Sequence, residues 1–111
     1  MGYYSDFTIS IEQYNDTDQE FDADEFSVKF EAITDYEITD AGEYWYLTSV
    51  KWYDNETQMR EISKLWPDYL FSLKRVGEEE NDMVMEYYLD GKLQKVAATI
   101  SFPPFDKNEL K

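Results

Sequence analysis

Cysteine and histidine are both missing from this sequence of 111 residues. Their absence removes disulfides, a thiol nucleophile, an imidazole base and the usual zinc ligands together. Glycine (4) and proline (3) are scarce, and no stretch rich in either marks a linker or a repeat. No apolar run approaches the ~20 residues of a membrane helix. The opening MGYYSDFTISIE has no basic region followed by an apolar one, so no secretion signal is read there. Asp6 also stands where a myristoylation motif wants Ser or Thr. The expectation is one domain over residues 1–111, in the cytoplasm. Bases are the last scarcity: 10 Lys and Arg face 25 Asp and Glu, a net charge of −15.

What is present is aromatic and acidic. Hydrophobic residues make up 42% and aromatic residues 18%, enough to argue against disorder despite the charge. A chain of this size buries roughly two-thirds of its unfolded surface, and 7 Phe, 10 Tyr and 3 Trp are available to fill the core. The charge is lopsided. Residues 1–50 hold 13 acids against Lys29 alone, or −12; residues 51–111 hold 12 acids against 9 bases, or −3. The densest stretch is QYNDTDQEFDADEF at 13–26, with Asp16, Asp18, Glu20, Asp22, Asp24 and Glu25 and no base among them.

Periodicity supplies the elements. Phe7, Ile9 and Ile11 alternate with Thr8, Ser10 and Glu12, a strand with one buried face. Phe26, Phe30 and Ile33 form a helical stripe, with Asp22 as its cap and Glu25 as the reciprocal partner, so a helix is predicted near 22–34. EYWYLTSVKW reads as a strand with Tyr44, Tyr46, Thr48, Val50 and Trp52 on one face, Trp45 and Leu47 on the other. A short strand at YEIT pairs with it across Gly42. Met59, Ile62, Leu65 and Trp66 give a second helix near 55–66, capped by Asn55 and stopped by Pro67. DYLFSLKRV is a strand, GEEEND a polar loop, and MVMEYYL and KLQKVAATISF flank Asp90-Gly91, a strong hairpin signal. The economical assembly is α+β: two helices packed on one face of a mainly antiparallel sheet, ferredoxin-like in kind.

Several segments resemble a group of small phage and bacterial mobile-element proteins that begin MGYY or similar and carry KWYD before a helix. They are MGYYSDFTISIE, KWYDNETQMREISKLWPDYLF, the GEE before Asp82, YYLDGKLQ and FPPFDKNELK. The resemblance covers most of the chain and is weakest over 13–43. It implies a ferredoxin-like fold and a phage or mobile-element origin. It implies no catalytic residues.

Candidate chemistry is then read from the residues. Asp16, Asp18 and Glu20 alternate as in a calcium loop, but Phe21 occupies the place of the turn glycine and Ser27 that of the bidentate Glu. No metal and no cofactor are expected. A catalytic carboxylate needs desolvation, and the acids lie mostly in polar runs; Glu12 and Glu86 lie in strands and are expected to point outward. No catalytic residue is assigned and no enzyme is expected. Tyr44, Trp45, Tyr46 and Trp52 beside Lys51, Lys74 and Arg75 offer a stacking platform, but the surrounding charge repels phosphate. Asp22, Asp24 and Glu25 are explained by a helix N-terminus. The other acids are not, and a one-signed row costs stability through self-repulsion.

The expectation is a non-enzymatic acidic binding protein. Its partner face is Asp16, Asp18, Glu20, Asp22, Asp24, Glu37, Asp40 and Glu43, with Glu78, Glu79 and Glu80 as a second knot. The partner is a basic protein surface, one that binds nucleic acid; nucleic acid and membrane are not partners. With the resemblance, this reads as a phage-encoded DNA mimic that inhibits a host defence or nucleic-acid enzyme. The alternatives are an immunity-type protein neutralising a basic toxin, and a structural or accessory phage domain.

Overall fold

The computed structural model describes residues 4–77, 83–97 and 106–109. Phe7 and Ile9 point to one side of β1 (Ser5–Gln13) and are buried, while Asp6, Ser10 and Glu12 are exposed. The same alternation runs through β3 (Trp45–Val50), where Trp45 and Leu47 are buried, and β4 (Tyr69–Gly77), where Tyr69, Phe71 and Leu73 are. With β2 (Thr39–Asp40), β5 (Met83–Leu89) and β6 (Lys92–Ala97), they form one sheet in the order β2-β3-β1-β4-β5-β6, antiparallel at every pairing. The first four strands and two helices follow the β-α-β-β-α-β order of the ferredoxin-like motif, and their strand order is compatible with it.

Helix α1 (Ala23–Thr34) begins as the sequence reads. The Asp22 carboxylate accepts from the N–H groups of Asp24 and Glu25 at 2.9 and 3.2 Å, filling two of the open donors of the first turn. Among the described residues no return bond joins the Glu25 side chain to Asp22, so only half of the predicted capping box forms. Phe26 and Phe30 are fully buried against Trp45 and Trp52, at ring distances of 5.0 and 5.2 Å. Helix α2 (Asn55–Leu65) buries Met59 and Ile62 in the same core. Its cap position is Asp54, without a side-chain bond, whereas Asn55 is buried as the first helical residue, one place on from the predicted cap. Leu65, predicted inside, is 40% exposed; the chain turns at Trp66, whose ring goes inward instead. Pro67 disfavours helical dihedrals at Trp66, which ends α2 there.

Two local devices set the strands. Phe7 pairs with Leu47 but Ser5 pairs with Val50, so β3 holds one extra residue. Ser49 takes φ 53° there and donates its N–H to Asp6. That bulge reverses the side-chain phase and sends Trp52 into the core beside Phe7, at 5.1 Å; the sequence pattern had placed Trp52 with the outward Tyr44 and Tyr46. The second device is the predicted hairpin: Asp90 (φ 47°) and Gly91 (φ 78°) both take the left-handed conformation of a two-residue turn between β5 and β6. No helix among the described residues is long and apolar enough to cross a membrane.

Candidate functional site

The antiparallel register decides where the acids meet. Gln13 at the end of β1 pairs with Tyr69 at the start of β4, and Ile9 pairs with Trp45 near the start of β3. The loop after β1, the N-terminus of α1, the β2–β3 turn and the β5–β6 turn therefore lie at one end of the sheet. That end carries Asp16, Asp18, Glu20, Asp22, Asp24, Glu25, Asp40 and Glu43, all exposed, and adds Asp68 and Asp90 from the second half. Lys64 and Lys92 are also found there. Ten acids from both halves of the chain thus gather at one end of the sheet, while Asp6, Asp35, Glu37, Asp54 and Glu56 lie toward the other.

The loop that bears most of this charge is anchored. Phe21 lies within 5.3–5.8 Å, ring to ring, of Phe26, Trp45, Trp66 and Tyr69. Gln19 donates its side-chain amide to the Leu65 carbonyl at 3.0 Å and accepts from the Tyr69 hydroxyl at 2.8 Å. The N–H groups of Tyr14 and Asn15 both reach the Asp68 carbonyl. Asp16, Asp18 and Glu20 are held on a pinned segment, facing water, and none is in an ion pair: among the described residues the one salt bridge is Arg60–Glu56, at 3.5 Å. Phe21, which stands where a calcium loop has its turn glycine, is the pin.

Not every predicted site residue joins this end. Asp22 and Asp40 are partly occupied, Asp22 by the helix cap and Asp40 by accepting from the Gly42 N–H at 2.8 Å. Glu37 follows the C-terminus of α1, a helix length of ~17 Å from the acidic N-terminus. Glu78, Glu79 and Glu80 lie outside the described residues. Gly77, just before them, pairs with Ser5 at the far end of β1 from the acidic loop, roughly 26 Å along the strand. Among the described residues, no three acids converge closely enough to hold a metal ion.

Glu86, expected to point outward, lies on the inner face of the sheet. Glu86 is 1% exposed and faces the helices, as does Tyr88, which is fully buried. In MVMEYYL both faces are apolar enough to be the inner one, and the sheet buries Glu86 and Tyr88 while Met83, Met85, Tyr87 and Leu89 stay half-exposed. The Tyr88 hydroxyl donates to Glu86 Oε2; Oε1 has no partner. Arg75 lies diagonally across on the same face, and its Nε is likewise buried without a partner. Burial first, then the hydrogen bond to Glu86 and its charge, pushes the Tyr88 phenol well above its ordinary value. Sealed under α2, this group is closed to a substrate.

No family model, no curated protein and no solved structure matches this chain.

Proposed function

We propose that this chain is a non-enzymatic acidic binding protein whose acidic sheet end occupies the basic, nucleic-acid-binding surface of a partner protein. A phage-encoded DNA-mimic inhibitor of a host defence or nucleic-acid enzyme is the specific form of that reading. The observation that carries it is the pinned loop at 14–21. Asp16, Asp18 and Glu20 are exposed and unpaired, yet the segment bearing them is fixed by Phe21, Gln19 and Tyr69. Solubility needs charge but not its orientation; recognition gains from both, because a pre-ordered surface loses less entropy on binding. The dense single-sign field steers a cationic surface toward this end and repels nucleic acid itself. The phage-like segments quoted above agree with this reading.

The test is capture of host proteins at low salt on the immobilised chain, followed by elution with duplex DNA. A mimic is displaced by DNA, because both ligands use one surface. Reversing Asp16, Asp18, Glu20 and Glu43 to Lys is expected to weaken capture about a hundredfold or more. Each site shifts stability by only about 0.5 kcal/mol, since all are exposed. Glu37→Lys, at the other end, leaves capture nearly unchanged. Capture that survives the fourfold reversal makes the acidity a solvated surface. A captured basic toxin that DNA does not displace replaces mimicry with the immunity-type reading.

A further inference from the structure

The helices cover one face of the sheet, and the other face has a different chemistry. Across β3, β1, β4, β5 and β6 one row of that outer face reads Tyr46, Thr8, Lys74, Met85, Val96. The next row reads Ser10, Ser72, Tyr87, Gln94. Tyr44, Tyr46 and Val96 are 43%, 37% and 43% exposed. Among the described strand residues, the charged ones whose register turns them outward are Asp6, Glu12, Lys74 and Lys92, two of each sign. In a chain of net charge −15, this is a neutral and amphipathic surface.

We propose that this face joins two copies of the chain in a two-fold dimer. Charge selects the occupant. Two chains each at −15 repel over most of their surface, and the outer sheet face is where their facing charges cancel. Area agrees. Five strands about 4.8 Å apart and ~25 Å long present on the order of 600 Å², at the lower edge of what each partner gives to a specific interface. Shape agrees as well. On one side of β1 the Tyr44 and Tyr46 rings stand together, 6.2 Å apart. On the other side Tyr14, Leu70, Tyr87 and Leu89 line an open groove of about 370 Å³. A two-fold axis between β1 and β4 lays the tyrosine pair of each copy into the groove of the other, the reciprocal arrangement an isologous contact requires. The acidic ends of both copies remain free, so the dimer does not depend on the binding role proposed above.

Sedimentation equilibrium of the full chain tests this. The expected mass is twice the 13.3 kDa of one chain, with a dissociation constant on the order of 10 μM, and higher salt tightens the dimer by screening the like charges. Tyr46→Glu and, separately, Val96→Glu each weaken dimerisation about a hundredfold. Both sites are exposed, so circular dichroism and the melting temperature of the monomer stay as they are. Val28→Glu, 67% exposed on α1 in the helical layer, leaves the dimer nearly unchanged, and the fourfold acidic reversal, which lowers the repulsion between two chains of −15, tightens it rather than weakening it. A monomer at about 300 μM, or a dimer indifferent to Tyr46→Glu and Val96→Glu, overturns the proposal.

Discussion

Asp18 and Glu86 are both acids outside any ion pair among the described residues, and the difference between their surroundings separates the two halves of this molecule's chemistry. Asp18 is exposed on a loop beside other acids, where water screens each charge and the cost of crowding is spread thin. Glu86 is 1% exposed, and one phenol hydroxyl is its whole hydrogen-bonding company. Many wet carboxylates are cheaper to keep than one dry one. The acidic end is therefore free to vary in charge while its anchor is not; under α2 the reverse holds, and the polar group itself is the sensitive part.

The largest expected effect is on the anchor. Phe21→Ala removes a ring packed against four other aromatic rings within 6 Å and is expected to cost about 3 kcal/mol in urea unfolding. It also opens the loop at 14–21 to limited proteolysis, while reversing Asp18 leaves both readings nearly unchanged. If Phe21→Ala costs no more than Asp18→Lys, the loop is not pinned and the contrast fails.

Next is Tyr88→Phe, expected to cost about 2 kcal/mol, because it leaves both Glu86 oxygens buried and unpartnered. Combining it with Glu86→Leu should restore stability to the wild-type level or above, since an apolar pair replaces a poorly satisfied polar one. Tyr88 also carries a pH signature. Its phenol titrates higher in the folded chain than in the unfolded one, burial being the main cause. Its contribution is therefore complete below the ordinary tyrosine value near 10, and falls as pH rises beyond it, by about 1.4 kcal/mol per pH unit. Alkaline melting curves should show this limb in the wild type and lose it in Tyr88→Phe.

The smallest effect is at the far end of α1. Asp35 sits at φ 65° with its N–H on the Glu31 carbonyl, and the last turn of α1 has no base. A β-carbon in that conformation and a negative charge at a helix C-terminus are both unfavourable. Asp35→Gly is expected to gain about 0.5–1 kcal/mol, read as a rise of a few degrees in melting temperature. Removing a carboxylate from the acidic end should bring no comparable gain, and Asp22→Gly should bring a loss, because that acid caps α1.

Both helices, the Asp22 cap and the Asp90-Gly91 turn were legible because each is written within a few neighbouring residues: a 3.6-residue stripe, a capping side chain, a pair suited to positive φ. What failed was written elsewhere. The inward phase of β5 depends on what α2 and β4 present to it, and MVMEYYL has two faces of similar polarity. The phase change at Ser49 comes from one extra residue between two pairings with β1. The acidic residues could be counted along the chain, but that they share an end, and that Glu37 does not, follows from the register of β1 with β3 and β4. Phe21 was visible as an aromatic among acids, which is itself a signal that a polar loop has something to hold on to.

The β5–β6 hairpin turn bears on how the protein comes apart. A two-residue turn at the side of a sheet is local, and such a hairpin forms in microseconds by itself and opens as readily. Here the Gly91 N–H donates to Ser63 Oγ at 2.8 Å and its carbonyl accepts from Arg60 at 3.0 Å. A β-carbon on Gly91 would stand 2.5 Å from Lys64 Cε. Helix α2 thus latches the turn by its backbone, through Arg60 and Ser63 with Lys64 packed beside them, the i, i+3 and i+4 positions of one helix face. The last two strands are thereby denied a private way of opening: amide protons in β5 should exchange through the same rare global event as those of α2, so that this added piece of sheet behaves, kinetically, as core.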